Sequence, residues 1–316
     1  MTIGSADSAA LHTATEDMLA HARTAAFDVT ALPPIEAAQR FRPPLTGRIE
    51  PLEPALRIED RTIPGERGGT SIRIYWPQGE GPYGALINLH GGGWVTGSIE
   101  GDHRRAHALA HRAGVVVITV DYALAPERPF PEPLDDCYAA LEWTALNAAA
   151  LDVDPARIGL IGSSSGANLA LGVGLMALDR QGANIALNVL AYPALDPRLA
   201  GSSYDENAEF FINRTVMQWF WDQYTPDPAD RDRRYVDILR ADLAGMAPTL
   251  IANAQYDPMR GDGEALEQAL RAAGVDTEVR LYPLIHGFMV GRTADHPDSQ
   301  RALTDICSFV RERLGA

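Results

Sequence analysis

Ile158-Gly159-Leu160-Ile161-Gly162-Ser163-Ser164-Ser165-Gly166-Ala167-Asn168-Leu169-Ala170 begins as an apolar run, breaks into three serines between glycines, and continues with helical spacing. It reads as a strand, a sharp turn and a helix, with a serine exposed on the turn. A serine held on such a strained corner needs small neighbours two residues away on both sides, because any Cβ there would collide with the backbone. That demand fixes the register. Only Ser164 has glycine at both places, Gly162 and Gly166; Ser163 has Ile161 and Ser165, and Ser165 has Ser163 and Ala167. Ser164 is the candidate nucleophile. A serine-rich turn without chemistry is the alternative, and only context decides between them.

Outward from this corner the chain alternates short apolar runs with helical patterns. Ala85-Leu86-Ile87-Asn88-Leu89, 115–120, 158–161, 186–191 and 248–252 suit strands buried on both faces. Helical patterns occupy roughly 102–113, 132–149, 165–180, 262–273 and 299–314. Upstream, 58–63 and 70–76 alternate apolar and polar residues like an antiparallel pair, the second closed by Pro77. The expected fold is α/β: a mostly parallel sheet opened by an antiparallel edge pair. Before it, residues 1 to about 50 are helix-prone, with Leu11, Met18, Leu19 and Ala22 at helical spacing and prolines 33, 34, 43 and 44 as breakers. One long connection interrupts the alternation, between Tyr192-Pro193 and Pro248. It carries Phe210-Phe211-Ile212, Met217 and Trp219-Phe220-Trp221. A connection of that length is a lid or a binding element, and its aromatics either pack it onto the core or line an apolar pocket.

Composition narrows the class of partner. Of 316 residues 46% are hydrophobic, enough to bury a large sheet, and no stretch has the roughly 18 uninterrupted apolar residues of a membrane span. The net charge of −15 argues against a nucleic-acid backbone or an anionic membrane surface as partner. Met1 to Asp7 lack a basic segment leading into an apolar one, so the expected compartment is the cytoplasm. Cys137 and Cys307 lie far apart, without metal or redox spacing, and read as free thiols.

A serine hydroxyl needs a base, an orienter for that base and donors for the oxyanion. Each has one candidate. His90-Gly91-Gly92-Gly93-Trp94 follows the first core strand, where glycines expose backbone N–H groups and let a carbonyl approach closely. A phosphate loop is the rival for this stretch, but no Gly-Lys-Ser/Thr follows. Gly91, Gly92 and Gly93, with Ser165, are therefore the candidate oxyanion hole. Asp257 stands just past a buried strand in Ala254-Gln255-Tyr256-Asp257-Pro258, and His286 just past the next in Leu284-Ile285-His286-Gly287-Phe288. The order Ser, Asp, His with the glycine loop upstream fits serine hydrolysis on an α/β sheet. Trp94, Ser163, Phe210, Phe211, Ile285 and Phe288 are the candidate substrate contacts.

Together with Asp121-Tyr122, Leu124-Ala125-Pro126-Glu127, Phe130-Pro131, Asn168-Leu169-Ala170 and Tyr192-Pro193, these motifs resemble the bacterial hormone-sensitive lipase family of esterases over about residues 56–314. The resemblance implies an α/β-hydrolase fold with an eight-stranded sheet and a helical cap built from residues 1–50 and about 201–225. It also implies hydrolysis of short-chain acyl esters without a metal or organic cofactor. Ser163, Ser165, Ala167 and Ala123 stand where that family more often has Asp or Thr, Ala, Gly and Arg. A related amide, formamide or lactone hydrolase would use the same triad. A ligand-binding receptor on this fold would lack the histidine that His286 supplies.

Other features read as structural. His103, His107 and His111 share one helix face, but neighbouring arginines disfavour a cation, which leaves a helix surface. Asp135-Asp136 suit the start of a helix. Glu127 reads as support for its loop. The last strand, around 277–282, offers an edge through which a homodimer would pair.

Overall fold

Each apolar run is a strand in the computed structural model, which describes residues 28–42, 52–65, 68–208 and 212–315. The strands are β1 Arg57–Ile63, β2 Thr70–Trp76, β3 Tyr83–Leu89, β4 Val116–Asp121, β5 Val153–Ser163, β6 Leu187–Ala191, β7 Thr249–Tyr256 and β8 Thr277–Ile285. They form one eight-stranded sheet in the order β1-β2-β4-β3-β5-β6-β7-β8. β1 pairs antiparallel with β2 and β2 antiparallel with β4, while every later pairing is parallel. The predicted antiparallel opening and parallel centre are both present.

The helices are α1 Pro34–Phe41, α2 His103–Ala113, α3 Glu132–Leu146, α4 Ala148–Leu151, α5 Ser165–Arg180, α6 Ser203–Glu206, α7 Arg214–Tyr224, α8 Arg260–Ala272 and α9 Pro297–Leu314. The sheet divides the interior into two apolar layers. α2 and α9 cover one face through Leu109, Ile306 and Phe309; α3, α5 and α8 cover the other through Leu134, Leu169 and Leu266. Central strands are buried on both sides, which is why their sequences lack alternation. The C-terminal ends of β3, β5, β7 and β8 meet along one edge of this sandwich, where open α/β sheets place their sites.

The expectation of a histidine-bearing surface on α2 is corrected. His103 and His107 are buried: His103 Nδ1 lies 2.9 Å from the Tyr75 hydroxyl, and His107 Nε2 lies 2.9 Å from the carbonyl of Pro54. Only His111 faces solvent. The fold puts β2 and the segment before β1 against this face, a packing that periodicity alone does not reveal. Asp136 is likewise more than an exposed dipole partner. It is buried and accepts hydrogen bonds from the Thr70 hydroxyl at 2.7 Å and the Ala123 N–H at 2.9 Å. Cys137 and Cys307 are free and buried, and burial pushes both thiols up. Among the described residues no helix is long and apolar enough to cross a membrane, and no three His, Cys, Asp or Glu side chains cluster so as to hold a metal. Residues 1–27, which carry the expected N-terminal helix pattern and the compartment reading, lie outside the described residues.

Candidate active site

Ser164 caps α5 with φ 53° and ψ −122°, a conformation that non-glycine residues rarely adopt. Its N–H donates to the carbonyl of Ala191 on β6 at 2.9 Å, which pins the corner to the sheet. The two glycines are required by contact. A Cβ on Gly162 would come 2.2 Å from the Gly166 carbonyl oxygen, and one on Gly166 would come 2.2 Å from that of Leu89. Strand β5, helix α5 and the end of β3 thus touch backbone to backbone.

From this corner the Ser164 hydroxyl donates to His286 Nε2 at 2.9 Å. His286 Nδ1 donates in turn to Asp257 Oδ2 at 2.8 Å, and Asp257 Oδ1 accepts from the Met259 N–H at 2.8 Å. The carboxylate fixes the tautomer that leaves Nε2 free to accept a proton. Exposure falls along the chain, from 7% at Ser164 to 3% at His286 and none at Asp257. Tyr192, at the end of β6, packs its ring edge-on against the imidazole at 4.9 Å.

The glycine loop lies beside the corner. A Cβ on Gly91 would sit 3.3 Å from that of Ser164. Gly92, at φ 127°, accepts through its carbonyl from the N–H groups of Val95 at 3.1 Å and Thr96 at 3.0 Å. Gly93 has φ 59°, and a Cβ there would come 2.4 Å from the ring of Phe220 on α7. Among the described residues, the N–H groups of Gly92, Gly93 and Ser165 donate to no protein acceptor. The Ser165 group also belongs to the first turn of α5, where the helix dipole favours negative charge. His90 shapes the loop from behind: its ring stacks on Tyr122 at 4.1 Å, and the Tyr122 hydroxyl donates to its carbonyl at 2.7 Å. Burial pushes the His90 imidazole down from its ordinary value.

Three of the expected substrate contacts are buried against protein. Trp94 is fully buried, stacked 4.5 Å from Tyr224 and tilted against Trp221 at 4.2 Å, so its indole ties the insertion to the core. Ser163 is fully buried, with its hydroxyl beside the Tyr192 phenol. Phe288 packs between Tyr192 and Tyr282 in the layer under α9. Ile285 is buried at the end of β8 opposite Tyr256, and Phe210 and Phe211 lie outside the described residues.

Several residues that structure this site were invisible in the sequence. Arg42, from the segment before the sheet, reaches the carbonyls of Val95 and Ala125 at 2.6 Å each and makes a two-pronged pair with Glu127 at 2.8 Å. The turn that carries Asp257 is held by the insertion. The Ser203 hydroxyl donates to the Pro258 carbonyl at 2.6 Å and accepts from the Gly261 N–H at 3.0 Å, and the Asn207 amide donates to the Asp257 carbonyl at 3.1 Å. Asp262, buried in the first turn of α8, accepts from the N–H groups of Leu195 and Asp196. Burial pushes its carboxyl up to about 8, with help from the nearby charges of Asp196 and Asp257. No local pattern announces such long-range partners; the sequence marks Glu127 as loop support but does not show the arginine it pairs with.

The described arrangement matches known proteins. The family pattern of the α/β-hydrolase fold covers residues 86–290. Carboxylesterase NlhH of Mycobacterium tuberculosis is 38% identical over 247 residues, spanning 75% of this chain and 77% of that one. An ethyl acetate hydrolase of Pseudomonas putida is 34% identical over 240 residues, spanning 73% and 76%. The hyperthermophilic esterase of the archaeon Pyrobaculum calidifontis superposes with a TM-score of 0.83 at 30% identity, over 99% of both chains. With its glycine loop, its serine corner and relatives of this kind, the chain belongs to the hormone-sensitive-lipase-type esterases of the α/β-hydrolase family.

Proposed function

We propose that the protein is a serine carboxylesterase that hydrolyses short- to medium-chain acyl esters of small molecules, with Ser164 as nucleophile, His286 as base and Asp257 as its orienter. The observation that carries this reading is the unbroken hydrogen-bond chain from Ser164 through His286 to Asp257. In that reading the Ser164 oxygen attacks the ester carbonyl while its proton passes to His286 Nε2. The oxyanion is held by the N–H groups of Gly92, Gly93 and Ser165, with Gly91 giving the loop its close approach. The C–O bond to the alcohol then breaks, and His286 returns the proton to the departing oxygen. Water gives a proton to the same imidazole as it attacks the acyl carbon; the bond from that carbon to Ser164 Oγ then breaks, His286 passes the proton to Oγ, and the carboxylic acid leaves.

Two further parts belong to this proposal. Residues 1–50 and about 201–225 form a cap over a catalytic domain of 51–316, supported by the contact of Phe41 with Trp219 at 5.7 Å and Phe220 at 5.2 Å. The compartment is the cytoplasm, and copies pair through β8, which ends the sheet and leaves Leu281 exposed.

The test is Ser164→Ala assayed on p-nitrophenyl butyrate, with an organophosphonate label read by mass spectrometry. Loss of turnover by a factor of about 10⁴, with the label found on Ser164 of the unmodified chain, is the expected result. An active variant, or an unlabelled serine, overturns the assignment. A panel of acetate, octanoate, lactone and N-formyl substrates separates an esterase from the amide, formamide and lactone hydrolases.

A further inference from the structure

We propose that Arg42 is a positioning residue of the oxyanion hole, acting from outside the sheet by fixing the peptide that presents the Gly93 N–H. The proposal rests on the esterase reading of the site above.

The path is short and consists of hydrogen bonds. The carbonyl of Gly92 and the N–H of Gly93 belong to one planar trans peptide, so whatever fixes the carbonyl aims the N–H the opposite way. That carbonyl is held by the N–H groups of Val95 and Thr96. The Val95–Thr96 turn is in turn held from the N-terminal segment. Arg42 Nε donates to the Val95 carbonyl at 2.6 Å, and the Thr96 hydroxyl donates to the Phe41 carbonyl at 2.8 Å. No strand or helix of the catalytic sheet includes this turn. Gly92 and Gly93 both sit at positive φ, so the loop needs an external brace to keep one conformation.

The guanidinium is used at all its faces that reach protein. Nη2 also donates to the Ala125 carbonyl at 2.6 Å, while Nη1 and Nη2 together grip Glu127 at 2.8 Å. The Ala125 N–H donates back to the Trp94 carbonyl at 2.9 Å, so the loop after β4 and the glycine loop form one cross-braced unit with Arg42 at its centre. The Arg42 side chain is 26% exposed and that of Glu127 40%, so the ion pair itself contributes little to stability. What the pair supplies is geometry: a planar fork locked against Glu127 can aim two N–H groups at two carbonyls, which a lysine cannot. Phe41 packs on Phe220, and Phe220 lies over Gly93, so the same segment braces the loop from both sides.

The experiment compares Arg42→Ala and Arg42→Lys with the unmodified chain. It reads kcat and KM on p-nitrophenyl butyrate, the rate of organophosphonate labelling of Ser164, and the thermal midpoint. Misplacing a donor is expected to lower kcat about 10- to 100-fold in Arg42→Ala with KM nearly unchanged, and to slow labelling in parallel. Arg42→Lys should fall between. Millimolar guanidinium, too dilute to denature, should restore part of the kcat of Arg42→Ala and nothing to the unmodified enzyme. An Arg42→Ala enzyme with unchanged kcat overturns the proposal. So does a loss that follows the folded fraction and resists guanidinium, because a purely structural brace would behave that way. If the unmodified chain neither turns over esters nor takes the label, the esterase reading itself fails, and that outcome is distinct from both.

Discussion

The ring of Phe220 lies on Gly93 so closely that a β-carbon at that glycine would stand 2.4 Å from it. An insertion helix and the proposed oxyanion donor therefore share one contact, with no side chain between them. Gly93→Ala should fold, since φ 59° costs an L-residue only about 1–2 kcal/mol, but should lose roughly 10²-fold in kcat as the loop moves off the ring. Adding Phe220→Ala should recover part of that loss by making room. Steady-state kinetics on both variants check this; a double variant no faster than the single one would place the fault in the backbone alone.

Asp257→Asn keeps the size of the side chain but can donate a hydrogen to His286 Nδ1, which favours the wrong tautomer. Turnover should fall by about 10⁴ with the thermal midpoint little changed. A loss of only a few-fold would mean that the carboxylate is dispensable for orientation.

Asp262 links pH to stability. Its neighbours are Asp196, Asp257 and Tyr204, none of them a cation, and burial holds its carboxyl up at about 8. Between the unfolded value near 4 and this folded value, the native chain keeps a proton that the unfolded chain gives up. Stability from this group is therefore full below the unfolded value and drains away as pH rises, by up to about 1.4 kcal/mol per pH unit. Asp262→Asn still accepts from Leu195 and Asp196 through its amide oxygen but does not titrate. Its thermal midpoint should gain on that of the unmodified chain steadily from about pH 5 to about pH 8. Parallel midpoints across that range would refute the linkage.

Trp94→Ala distinguishes packing from substrate contact. Removing an indole packed against Trp221 and Tyr224 should cost about 3–5 kcal/mol in urea unfolding. A raised KM with unchanged stability would restore Trp94 to the substrate pocket.

What the sequence discloses here depends on how far a constraint reaches. Ser164 could be chosen from three serines because its demand is local: two glycines, each two residues away, where a Cβ has no room. The buried strands were legible because both faces are covered, and the chain order of Ser164, Asp257 and His286 was legible because each follows a strand. The burial of Trp94 is not legible because its ring partners, Trp221 and Tyr224, stand more than a hundred residues away in an insertion without sheet periodicity. The same holds for His103 and His107, whose burial depends on β2 and the segment before β1, and for Arg42, whose four acceptors come from two other loops. Side chains that answer to distant backbone leave no mark on their own neighbours in sequence.

The backbone contacts among Gly162, Gly166 and Leu89 have a consequence for how the molecule comes apart. With no side chains between them, the end of β3, the end of β5 and the start of α5 cannot separate by small adjustments of rotamers; they stay in register or lose contact altogether. Amide protons of 86–89 and 158–163 should accordingly exchange with deuterium only through global opening, while those of α7 exchange through smaller, local excursions. Heating would then silence the proposed nucleophile at the same temperature at which the sheet melts, and a lasting folded but inactive state would have to arise at the insertion, not at the serine.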